Sequence, residues 1–84
     1  MVLTTLKGND VILSQITSQA KFDSYSVPLD QADFTSGGLS QSSRIRPNRL
    51  FTADEEIIVY RAGHVSEAKL NEALDRLILI LRQP

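Results

Sequence analysis

Two groups of polar residues in this sequence have types and spacings that could do chemistry. The first ends the stretch DVILSQITSQ, residues 10–19, where an apolar start gives way to uncharged hydrogen-bonding side chains. The second contains Arg44, Arg46 and Arg49, three of the nine basic residues, in a stretch without an acid. Guanidinium groups match phosphate oxygens, and neutral donors can orient a phosphate or read a base edge. The two groups suggest binding of an anion or an RNA backbone.

Each group also has a plainer explanation. Ser, Thr and Gln at the end of a strand often only cap the following loop. Arginines on an exposed strand repel neighbouring chains and limit aggregation at a sheet edge. The residue types alone leave both interpretations open.

The other candidate sites are weaker. His64, the only histidine, precedes the predicted helix without a nucleophile at a recognisable spacing, so a surface turn position is favoured over a general base. Asp54, Glu55 and Glu56 are more typical of a solvated turn than of a metal site. The chain has no cysteine, which excludes a thiolate metal site and fits a reducing, cytoplasmic setting. We expect no metal and no cofactor.

The bulk properties predict one small soluble domain. The chain has 84 residues and a net charge of −1, so an RNA partner would have to be held by a local patch. No apolar run approaches the roughly 18–20 residues of a membrane span, so no membrane association is expected.

The elements that would position these residues are strands followed by one helix. Val2–Leu6 and Val11–Thr17 predict a hairpin around the turn at Gly8. Further strands are predicted at 26–29 on a sheet edge, at 43–46 with a stop at Pro47, as a short piece at 50–52, and at 57–60. Residues 30–43, rich in Ser and Gly, predict a flexible loop.

Ser66 is the predicted N-cap of a helix over 67–82. An apolar stripe is predicted on this helix at Leu70, Ala73, Leu74, Leu77 and Leu81. Leu79 points away from the stripe, which leaves two interpretations open: a single surface leucine, or a second contact surface such as a dimer interface. The order of elements predicts an α+β domain with an antiparallel sheet.

Two stretches together resemble the PemK/MazF family of bacterial toxin ribonucleases. Residues 10–19 are similar to the family's second long strand, which ends in an isoleucine-threonine-small-glutamine element. Residues 38–54 are similar to its next strand and threonine-x-aspartate turn. The strand at 57–60, the Gly63–Ser66 entry and the final helix follow in the family's order, so the resemblance covers nearly the whole chain.

The resemblance implies an SH3-like barrel of curled antiparallel strands with a C-terminal helix, assembled as a cytoplasmic homodimer. It implies a type II toxin that cleaves single-stranded RNA without metal, through a 2′,3′-cyclic phosphate, and that a cognate antitoxin neutralises. Thr17 matches the threonine at the scissile phosphate, which makes it the candidate catalytic residue. The candidate RNA-binding residues are Ser18, Gln19, Arg44, Arg46, Asn48 and Arg49.

The sequence also departs from the family pattern. The family's first strand, its covering loop and an arginine-proline pair that carries the principal catalytic arginine are not matched, so residues 1–84 are expected to form a single domain that lacks them. Asn48 stands where some members have an acid. Three functions therefore stay open: an endoribonuclease, either active or inactivated by the lack of the catalytic arginine; a non-catalytic module that binds RNA or antitoxin; and a toxin-like inhibitor of a topoisomerase.

Overall fold

A computed structural model describes residues 1–18 and 23–84 of the chain. Within these residues, six strands and one helix follow in the order β1 (Val2–Thr5), β2 (Asp10–Thr17), β3 (Val27–Leu29), β4 (Phe34–Gly37), β5 (Ser43–Asp54), β6 (Gly63–Val65) and α1 (Glu67–Arg82). Short 3₁₀ turns at Gln31–Asp33 and Glu55–Ile57 precede β4 and follow β5. The predicted α+β class is confirmed: a curled antiparallel half-barrel sheet carries one C-terminal helix.

The larger sheet has the strand order β1-β2-β5-β3, and every pair of adjacent strands in it is antiparallel. The predicted β1–β2 hairpin is confirmed, with Gly8 at a positive φ of 79° in its turn. β3 is an edge strand, which is where a proline such as Pro28 costs no ladder hydrogen bond. A second sheet contains β4 and β6.

The core lies where α1 packs against β3 and β5. Val27, Leu29, Ile45 and Ala73 are buried there, and Ile16, Phe34 and Val65 are among the half-buried residues packed around them. The predicted cap of α1 is confirmed, since the Ser66 hydroxyl accepts a hydrogen bond from the Lys69 N–H at 3.1 Å. The prediction that Leu81 belongs to the apolar stripe that faces the sheet is wrong: it is 71% exposed, in the last turn of α1.

Pro47 does not stop the strand as predicted, and the separate piece at 50–52 belongs to the same strand. β5 continues to Asp54 because the register shifts at this point: Gln15 pairs with Arg46, but Ser14 pairs with Leu50. Residues 47–49 therefore form a bulge opposite no residue of β2, and a proline is tolerated where the ladder requires no N–H. Next to this bulge, the Ser14 hydroxyl donates a hydrogen bond to the Arg46 carbonyl oxygen at 2.6 Å.

The predicted strand at 57–60 is wrong. The prediction that residues 30–43 form one flexible loop is also wrong, because β4 lies within them. Ile57 ends a 3₁₀ turn and Val59 is 92% exposed, since strand-forming side chains need a neighbouring strand to pair with. The pairing partner of β4 is instead β6, which begins at Gly63. β4 arises inside the predicted loop because Gly37, at a φ of 65°, lets its backbone approach Ala62 closely.

Candidate nucleic-acid interface

The pairing of β2 with β5 brings the candidate threonine next to the candidate arginines. Thr17 is the direct partner of Arg44, and Gln15 is the direct partner of Arg46, with Ile16 and Ile45 between them. Direct partners point to the same side of a sheet, and alternate residues point to opposite sides. Ile16 and Ile45 therefore face the core, and the other four residues share the outer side. We call Gln15, Thr17, Arg44 and Arg46 the polar face.

Arg44 is held to the residue that precedes β3. Its Nε donates a hydrogen bond to the Ser26 hydroxyl, and its Nη2 donates to the Ser26 carbonyl oxygen at 3.2 Å. Ser26 is only 3% exposed, so its hydroxyl is not diverted to solvent. The guanidinium of Arg44 is thus bonded to Ser26 through two of its nitrogens.

Arg46 has a neutral neighbour and an acidic neighbour. Its Nη1 donates to Gln15 Oε1 at 3.4 Å, and its Nε lies 3.8 Å from Asp23 Oδ2. The Nε is buried and makes no hydrogen bond to any residue in the described ranges. Two guanidinium groups and one hydroxyl on adjacent strands form an arrangement that can bind a phosphodiester.

Three further candidate residues, Ser18, Asn48 and Arg49, lie outside the four-residue polar face. Asn48 and Arg49 are exposed in the β5 bulge, next to Arg46 along the chain. Ser18, just beyond β2, lines a separate open pocket of about 400 Å³ together with Leu39, Ser40 and Gln41. Gln19 lies outside the described residues.

Two residues that lie against the arginines, Asp23 and Ser26, are not among the candidates that the sequence indicates. Asp23 Oδ1 accepts hydrogen bonds from the N–H groups of Tyr25 and Ser26, at 2.9 Å and 2.8 Å. An Asp followed by Ser and Tyr is a turn signal that the sequence does carry. The contact with the arginines depends on β3 pairing with β5, which no local pattern reveals.

The acidic residues and His64 show local structural roles. Asp54 Oδ1 accepts a hydrogen bond from the Glu56 N–H at 2.8 Å, which caps the 3₁₀ turn as the solvated-turn interpretation expected. His64 lies in β6, where its carbonyl oxygen accepts a hydrogen bond from the Thr35 hydroxyl at 3.2 Å. Within residues 1–18 and 23–84, no three His, Cys, Asp or Glu side chains are grouped as metal ligands.

The part of the chain that the structure describes contains no helix long and apolar enough to cross a membrane. The fold and the polar face together define a small α+β protein whose curled antiparallel sheet carries two arginines and a threonine on its outer side. A family model described as "PemK-like, MazF-like toxin of type II toxin-antitoxin system" matches residues 1–81. The chain belongs to this toxin family. No curated protein matches it significantly.

Proposed function

We propose that this protein is the toxin of a toxin–antitoxin pair and that its polar face binds and cleaves single-stranded RNA without a metal ion. The observation that carries the proposal is the pairing of Thr17 with Arg44, with Arg46 two residues along on the same side of the sheet. A hydroxyl donor and two guanidinium groups suit the oxygens of one phosphodiester. Membership of the type II toxin family supports the role of toxin in such a pair.

The proposed reaction is a transesterification within the RNA chain. The ribose 2′-oxygen attacks phosphorus, the bond to the 5′-oxygen breaks, and the products are a 2′,3′-cyclic phosphate and a 5′-hydroxyl. The 2′-hydroxyl proton leaves to water, and water returns a proton to the departing oxygen. Arg44 and Arg46 would stabilise the charge that develops on the non-bridging oxygens, and Thr17 would orient one of them.

The same face suggests how the partners would act. A cognate antitoxin that covers Arg44 and Arg46 would exclude RNA from the polar face. We further propose that the toxin works in the cytoplasm, where RNA and a soluble antitoxin are both present, and that it assembles as a homodimer.

The test is incubation of the purified chain with single-stranded RNA, with and without EDTA. We expect cleavage in both conditions, and products that end in a cyclic phosphate. Thr17→Ala should lower the cleavage rate by about 10²-fold or more, because it removes a donor to the reacting phosphate. Its RNA affinity and thermal unfolding midpoint should stay close to those of the wild type.

Arginine variants separate binding from cleavage. Arg46→Gln should weaken RNA binding, whereas the control Arg82→Gln, at the exposed end of α1, should not. RNA binding without cleavage would identify a non-catalytic module of the same fold. Absence of both would reject the RNA proposal, and inhibition of a topoisomerase would then be the next activity to assay.

A further inference from the structure

A short turn outside the two central strands contacts both arginines of the polar face. Residues 23–26 form this turn, and Asp23 closes it by accepting from the N–H groups of Tyr25 and Ser26. The Ser26 hydroxyl also donates to the Asp23 carbonyl oxygen at 3.3 Å. An aspartate that binds the backbone ahead of it in this way stabilises a turn without help from other elements.

The turn is also anchored to the sheet. Val27, which follows it, is fully buried and pairs with Ile45 on β5. Pro28 on β3 is the direct partner of Arg44. Ser26 is thereby held at a fixed place beside the Arg44 side chain.

Ser26 uses both of its oxygen atoms on Arg44. The hydroxyl oxygen accepts from Nε and the carbonyl oxygen accepts from Nη2 at 3.2 Å. A hydroxyl can accept from one group and donate to another, and Ser26 does both, towards Arg44 and Asp23. An arginine held at two points has already lost much of the side-chain freedom that ligand binding would otherwise have to remove.

We propose that Ser26 is a positioning residue for Arg44: its hydroxyl orders the guanidinium on the polar face before RNA binds. The inference deepens the proposed function and rests on it. Ser26 itself touches neither the RNA nor the reacting atoms.

A double-mutant cycle tests whether Ser26 acts through Arg44. Binding of a labelled single-stranded oligonucleotide with uncleavable 2′-methoxy groups is measured for the wild type, Ser26→Ala, Arg44→Gln and the double variant. Ser26→Ala should weaken binding about fivefold in the wild-type background, the size of one lost hydrogen bond, and should have no further effect beside Arg44→Gln. An equal loss in both backgrounds would overturn the proposal.

Ser43→Ala is the matched control. Ser43 is also buried and is the chain neighbour of Arg44, but its hydroxyl donates to the Gln41 carbonyl oxygen at 3.0 Å. Its removal should leave RNA affinity unchanged. If Ser26→Ala fails to fold, Ser26→Cys preserves the volume with a weaker acceptor and should show the same dependence on Arg44.

A second measurement needs no RNA. In ¹⁵N NMR spectra, the Nε–H of Arg44 should exchange with water more slowly than that of the exposed Arg82, and Ser26→Ala should reduce the difference because Nε–H loses its acceptor. Equal exchange rates in the wild type would overturn the positioning role. If the wild type binds no RNA, the proposed function fails, and the exchange measurement still decides whether Ser26 orders Arg44.

Discussion

Arg46 lies between the amide of Gln15 and the carboxylate of Asp23, and only the carboxylate offsets its positive charge. Gln15 contacts the guanidinium without offsetting its charge. The Asp23 carboxylate lies 3.8 Å from Nε, beyond hydrogen-bonding distance. Its main effect is therefore electrostatic: it lowers the positive potential where a phosphate would bind.

We predict that Asp23→Asn strengthens binding of single-stranded RNA. Asparagine keeps an oxygen for the N–H groups that close the 23–26 turn and removes the negative charge beside Arg46. The gain should be about two- to fivefold at low salt, since both side chains are partly exposed and the pair is screened. Titrations at low and high salt measure it, and the gain should shrink as salt rises.

Asp75→Asn makes the same charge change on an exposed residue of α1 and serves as the control. It should alter RNA affinity less than Asp23→Asn does. Weaker binding by Asp23→Asn would contradict the prediction and would show that the carboxylate orients Arg46 rather than offsetting its charge.

Among individual residues, the sequence predicts which side chains share the outer side of the sheet, but it does not predict which residues contact them. Arg44 and Arg46 share one side because alternation along a strand requires it, and this can be read from two positions. Asp23 lies in a stretch where the sequence predicts no element, and Ser26 begins the predicted edge strand at 26–29; neither pattern indicates a contact with an arginine. Their contacts with the arginines arise when β3 pairs with β5, which joins residues far apart in the chain.

Among the helices and strands too, those signalled by their own residues are predicted correctly, and those that depend on a distant partner strand are not. The helix was predicted because Ser66 and the apolar residues after it carry its start and its inner side. The hairpin was predicted because Gly8 sits between two apolar runs. The strand at 57–60 was wrong because β-branched residues indicate an extended chain only where a partner strand is available, and β6 forms further on.

The small β4–β6 sheet depends on a glycine at its end. Gly37 has a φ of 65°, and a Cβ there would overlap the carbonyl oxygen of Ala62. Gly37→Ala should therefore lower the free energy of unfolding by about 2–4 kcal/mol, from left-handed backbone strain plus the clash. Urea denaturation measures the loss.

Gly8→Ala is the control because it separates the two causes. Gly8 has a φ of 79°, but a Cβ there would meet no atom within 4 Å. It should cost only about 1–2 kcal/mol, the strain alone. Equal losses for the two variants would show that β4 and β6 do not approach each other as closely as described.

The whole molecule exposes more large apolar side chains than isolated surface residues would explain. One group is Ile57, Val59 and Tyr60, in the segment predicted to be a strand. Another is Ile78, Leu79 and Leu81 at the end of α1, where Leu79 is 66% exposed. Exposed apolar clusters commonly mark interaction surfaces, which supports the homodimer that we propose.

The 57–60 segment is the better candidate for the dimer interface. It holds the two most exposed side chains of the two groups, Val59 at 92% and Tyr60 at 79%, and Tyr60 also borders an apolar groove of about 380 Å³ lined by Leu13 and Phe34. A partner that covered this segment would bury apolar area next to an existing apolar surface. A single charge placed there should therefore oppose association, because burying an unpaired carboxylate is costly.

We predict that Val59→Asp converts the dimer to a monomer, whereas Leu79→Asp leaves it intact. Light scattering coupled to size-exclusion chromatography should give twice the chain mass of 9.3 kDa for the wild type and for Leu79→Asp, and the single mass for Val59→Asp. Circular dichroism of each variant controls for unfolding. The opposite pattern would move the interface to the end of α1 and make Leu79 the contact residue. A monomeric wild type at every concentration would contradict the homodimer itself, and the exposed 57–60 segment would then have to be covered by a different partner.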